Sequence, residues 1–113
     1  MNVSESYKDY VVDQLELFGP VFARKMFGGY GLFFDGVIFG VIADDEFYLK
    51  VDDTNRPRYL KAGMKPFNPF GEESYSMTYF EVPIEVLEDK YELESWARES
   101  FIISQNTVKR KKK

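Results

Sequence analysis

At 113 residues, with 44% apolar and 18% aromatic side chains, the chain is sized for one domain with one core, and its composition excludes global disorder. It contains no Cys and no His, which excludes a disulfide framework and Cys–His or Ser–His nucleophile pairs and argues against a zinc site. The net charge of -4 is uneven: Lys109, Arg110, Lys111, Lys112 and Lys113 hold five of 15 basic groups, so 10 face 19 acidic residues elsewhere, a balance of -9 that argues against a body built to track phosphates.

Taken in chain order, Tyr7, Tyr10, Val11, Leu15 and Phe18 recur at helical spacing and predict a helix over residues 4–18, stopped by Gly19-Pro20. The period then changes. Residues 21–27 predict a strand, and Gly28-Gly29-Tyr30-Gly31 predicts a bend or bulge. Leu32-Phe33-Phe34 and residues 37–43 predict two strands joined at Asp35-Gly36, a pair suited to the positive φ of a two-residue hairpin turn. Asp44-Asp45-Glu46 predicts an acidic turn before a strand over residues 47–51. A short helix is expected from Thr54, as its cap, to Ala62, with Pro57 in the first turn and Gly63 as the stop. Residues 64–73 hold Pro66, Pro69 and Gly71 and predict a loop with a short strand near Phe67; residues 74–82 alternate and predict a last strand. One helical turn follows over residues 83–87. Asp89 is then placed to cap a final helix that buries Leu93, Trp96, Ala97 and Phe101. The order α, three or four strands, α, one or two strands, α predicts a two-layer α+β domain with a mainly antiparallel sheet. It spans residues 1–106, with a basic tail over 107–113 trailing the last helix.

Candidate chemistry is sparse. The glycine cluster lacks the third glycine of a dinucleotide fingerprint, since Phe34 stands there, and a strand rather than a helix follows it. A bend or close backbone packing is therefore expected. Asp44-Asp45 and Asp52-Asp53 have the residue type for Mg²⁺ or Ca²⁺, but they fall at strand ends, where Asp is a turn and cap residue. No catalytic residue, metal ligand or cofactor is expected. No apolar run approaches the ~20 residues that cross a bilayer, and the first residues carry no signal-peptide pattern, so a cytoplasmic location is expected.

Read as one string, Lys25-Met26-Phe27-Gly28-Gly29-Tyr30-Gly31-Leu32-Phe33 resembles the signature of the TfoX/Sxy N-terminal domain family. The resemblance continues through Phe39–Asp45, Tyr48–Asp52, Asn55-Arg56, Tyr59, Gly63, Pro66-Phe67, Met77–Pro83, Val86–Asp89 and Trp96-Ala97. It implies an α+β domain of secretion-chaperone-like architecture. It also implies kinship with bacterial regulators of natural competence, which act with the transcription machinery at promoters and carry a second, helical C-terminal domain that this sequence does not contain. No catalytic residue travels with the resemblance.

Most matched positions are core aromatics, turn glycines and caps. Lys25, Lys50, Arg56 and Tyr59 are groups that a fold does not obviously require, and they form the candidate partner surface. The expectation is a non-catalytic regulatory domain that binds a protein, with the transcription machinery as a candidate partner and a monomer or homodimer as the assembly. The alternatives are a DNA-associated accessory protein making weak non-specific contacts through Lys109–Lys113, or a small-ligand binder using Asp, Glu, Lys or Tyr in an apolar pocket.

Overall fold

A computed structural model describes residues 5–26, 28–67 and 78–111. Helix α1 (Glu5–Gln14) precedes four strands, β1 (Phe22–Met26), β2 (Gly29–Phe34), β3 (Val37–Ala43) and β4 (Glu46–Lys50). Helix α2 (Arg56–Lys61), strand β5 (Tyr79–Glu81) and helices α3 (Ile84–Leu87) and α4 (Lys90–Lys111) complete the order. The strands form one sheet in the order β1-β2-β3-β4-β5 with every pair antiparallel, so the α+β architecture is as the sequence predicts.

The turns explain why neighbouring strands pair. Asp35 and Gly36 have φ of 53° and 78°, and Asp44 and Asp45 have 55° and 57°. Positive φ at both central residues is the twist-matched hairpin geometry, which Asp and Gly tolerate best. Both acidic residues of the second turn are therefore spent on the backbone, and β4 begins one residue earlier than expected, at Glu46.

The glycine cluster meets the expectation of close backbone packing, with its turn confined to Gly28. Only Gly28, at φ 79°, lies outside a strand; Gly29 to Gly31 belong to β2. The reason is space. A Cβ at Gly29 would sit on the carbonyl oxygen of Ile42 in β3, so the motif permits close strand approach rather than a break. A bulge does occur one turn on. Leu32 pairs with Gly40 but Phe33 pairs with Ile38, leaving Phe39 as the extra residue of β3. The bulge turns Phe39 inward, where it is fully buried with its ring centroid 5.1 Å from that of Phe18.

Among the described residues, α1 to α4 share one core with one face of the sheet. Leu32, Phe39, Ile42, Phe47, Leu49 and Phe80 supply the sheet side, and Val11, Leu15, Tyr59, Val86, Leu93 and Trp96 the helix side. The expected stripe on α4 is there, with Phe101 edge-on to Phe34 at 5.1 Å. Asp89 caps α4 as predicted, its carboxylate accepting from the Tyr91 and Glu92 amides at 3.0 and 3.2 Å. Thr54 does not cap α2. Its amide and hydroxyl both donate to Asp52 Oδ1, and the cap position is Asn55. The buried Asn55 side chain instead accepts from the Asp52 amide and donates to the Lys50 carbonyl at 3.3 Å. Ser100 of α4 donates to that same carbonyl at 2.7 Å, so the end of β4 is tied to two helices.

The two sheet edges differ. Beyond β5, Pro66 forms a bridge with Phe80, while the Phe67 amide donates to Tyr79 and the Glu81 amide to Lys65. The short strand expected near Phe67 is an isolated β-bridge at Pro66 with a flanking hydrogen bond from Phe67. The expected strand residues Ser74 to Met77, and Phe27, lie outside the described residues. Beyond β1, among the described residues, no backbone hydrogen bond arrives from outside the sheet. No helix among the described residues is long and apolar enough to cross a membrane.

Gly29→Ala is expected to destabilise the domain by roughly 1–3 kcal/mol, because the strands must part to admit one methyl group. Urea unfolding would read this as a lower midpoint, and an unchanged midpoint would contradict the close-approach account.

Candidate functional site

The four side chains singled out from sequence do not share a surface. Lys25 is exposed on β1, in the cross-strand row Lys25, Tyr30, Ile42, Phe47 on the helix side of the sheet. Lys50 lies on β4, three strand intervals (about 14 Å) across the sheet and a further three residues (about 10 Å) along it. It is on the opposite face, with its ammonium 5.3 Å from the Tyr79 ring centroid. Arg56 opens α2 and pairs with the Asp53 carboxylate. Tyr59 is a correction: it is 0% exposed, with its ring 4.8 Å from Trp96 and 6.0 Å from Phe80. On a six-residue helix a single ring anchors the whole element, and that need outweighs the availability of its hydroxyl. Burial raises the Tyr59 phenol well above its ordinary pKa, an effect its neighbour Ser100 partly offsets. The α4 backbone stays helical through Lys111, so Lys109, Arg110 and Lys111 continue the helix, while Lys112 and Lys113 lie outside the described residues.

What the sheet does bring together lies on its helix-free face. Strand alternation places Phe22 and Arg24 of β1 beside Phe33 of β2 there, the two rings 6.5 Å apart. Phe22 is 66% exposed, a large value for an aromatic residue in a strand. Pro20, Phe22, Arg24, Phe33, Asp35 and Gly36 line an open cavity of about 410 Å³ at this end of the sheet. Further across the same face Tyr48 packs against Phe67 at 4.8 Å. None of these was singled out from sequence, where alternating apolar residues read as core; which strand forms the bare edge is decided by pairing order.

The same face holds a carboxyl pair. The neighbouring Glu81 carboxyl of β5 is the main cause that raises the Glu46 pKa to about 7, with partial burial and the charge of Asp44 adding and Lys65 opposing. Glu46 therefore holds its proton in the fold to higher pH than in the unfolded chain. Its contribution to stability is complete below the ordinary carboxylate range and is lost as pH rises through about 7. Burial likewise pushes the nearby Tyr48 phenol up to about 12, with Glu46 and Glu81 adding to the effect. Glu46→Gln keeps a donor toward Glu81 at every pH. The wild-type melting temperature should thus fall relative to the Glu46→Gln variant as pH is raised from about 5 to about 8. Parallel pH profiles would contradict the raised Glu46 pKa.

The family model described as the TfoX N-terminal domain matches residues 13–102. No curated protein matches the chain. The matched span runs from within α1 to the middle of α4 and takes in the whole sheet, the bulge and the Lys50–Asn55–Ser100 junction. On that match, covering most of its length, the chain belongs to the TfoX N-terminal domain family.

Proposed function

We propose that this chain is a non-catalytic regulatory domain that acts by binding another protein through the helix-free face of its sheet. The observation that carries this reading is the placement of exposed rings. The helix-covered face is closed by a continuous core, whereas Phe22, 66% exposed, and the partly exposed Phe33 flank a cavity on the other face. Aromatic side chains bordered by charge are the usual anchors of protein contacts. Polar groups inside the domain serve the architecture: Asn55 and Ser100 both bond the Lys50 carbonyl. The resemblance to competence regulators makes the transcription machinery the first partner class to examine.

Replacing Phe22 by a photo-crosslinking amino acid tests this in native lysate. A discrete protein adduct is expected from position 22 and none from position 91, where Tyr91 is 78% exposed on α4. No adduct at position 22, or equal labelling at both, would overturn the proposed face.

A second reading, a DNA-associated accessory protein, is supported by the helical backbone that carries Lys109, Arg110 and Lys111. On that reading, changing the five basic residues 109–113 to Gln abolishes the anisotropy rise of a labelled duplex at low salt. Binding that survives the change would contradict it.

A further inference from the structure

We infer that β1 is a docking edge for an extended acidic segment of a partner protein, which adds to the sheet as a further strand. This rests on the protein-binding reading above and names the partner's chemistry. Three observations support it. First, the far edge of the sheet is covered by Lys65–Phe67, whereas among the described residues no backbone hydrogen bond reaches β1 from outside. A bare strand edge presents unpaired amides and carbonyls to any extended chain. Second, Arg24 and Lys25 are exposed side by side on this strand, one on each face, and among the described residues neither makes an ion pair. They stand out on a body whose charge is -9 once the last five residues are set aside. Third, the cavity of about 410 Å³ opens beside the strand and is lined by Phe22, Arg24 and Phe33, with Asp35 the acidic group among its described lining residues. It offers a seat for an apolar side chain of the added strand.

The charges also select against a second copy of this chain. Antiparallel pairing of β1 with itself at full overlap sets Arg24 directly against Arg24, and like charges opposed in that way destabilise a strand pair. Exposed cations on an edge strand also deter indiscriminate pairing. Here they deter it selectively, since an acidic strand gains from the cation on whichever face its carboxylates take. Strand β1 has five residues, so the captured segment is short, roughly 17 Å long at about 3.3 Å per residue.

The test is a titration of the ¹⁵N-labelled chain with capped peptides of about seven residues, read from amide shifts over β1. One peptide alternates Glu with Val, one alternates Lys with Val, and one is the Glu peptide N-methylated on alternate residues of its pairing edge. The Glu peptide is expected to shift residues 22–26, the Lys peptide to leave them unmoved, and the N-methylated peptide to bind at least ~10-fold more weakly, because it cannot donate to the edge. The double variant Arg24→Glu, Lys25→Glu should reverse the preference toward the Lys peptide; both side chains are exposed, so the variant is expected to fold, and unchanged far-UV dichroism checks that. Equal binding of the N-methylated peptide would overturn strand addition, and an unreversed preference would overturn the charge argument. Sedimentation as a dimer that the double variant dissociates would assign the edge to a second copy. Failure of every peptide while position 22 still crosslinks a protein would sink the edge inference and leave the protein-binding face standing. Failure of both would remove the face as well.

Discussion

Helix α4 lying across β3 and β4 is the contact on which the rest of the domain depends. Its inward stripe meets every other layer. Trp96 holds the Tyr59 ring of α2, Phe101 closes on Phe34 and Phe18, and Ser100 binds the carbonyl at the end of β4. Buried rings of this size are worth about 3–5 kcal/mol each against truncation, and a buried hydrogen bond about 1 kcal/mol. Against a whole-domain stability of roughly 5–15 kcal/mol, these contacts are a large share. Arg58 reinforces the contact from the solvent side, 4.6 Å over Trp96 and paired with Glu99 at 3.0 Å.

That arrangement divides the sheet into two faces of different character. The helix side is saturated with contacts. The other side keeps rings and charges near the surface, and β1 lies at the margin farthest from the strands that α4 clamps. That margin lies at the edge of the core, where only Ala23 of β1 packs against the buried cluster. The Glu46–Glu81 carboxyls sit at the opposite margin, where their proximity raises the Glu46 pKa. The two margins of the sheet thus differ in both charge and closure.

Much of this was legible in the sequence, for definite reasons. Asp35-Gly36 announced its turn because few residues accept positive φ, and Asp89 announced a cap because its carboxylate had orphan amides to satisfy. The stripe on α4 followed from spacing alone. Thr54 misled because a nearer acceptor, Asp52, took both of its donors. Tyr59 misled because an amphipathic residue on a short basic helix reads as surface, whereas three-dimensional packing made it that helix's anchor. The bulge at Phe39 and the close approach at Gly29 depend on strand register, which is a long-range property. For the same reason the exposed cluster at Phe22, Arg24 and Phe33 was hidden: alternation identifies a strand face but not which strand ends the sheet.

Amide hydrogen exchange on the dilute, isolated chain tests most directly the claim that the sheet is secured at β3 and β4 and open at β1. The account predicts the slowest exchange in β3 and β4 beneath α4, and rapid exchange for those β1 amides that point away from β2. Protection of all β1 amides to the level of β3 would contradict it, since it would mean that this edge is already covered.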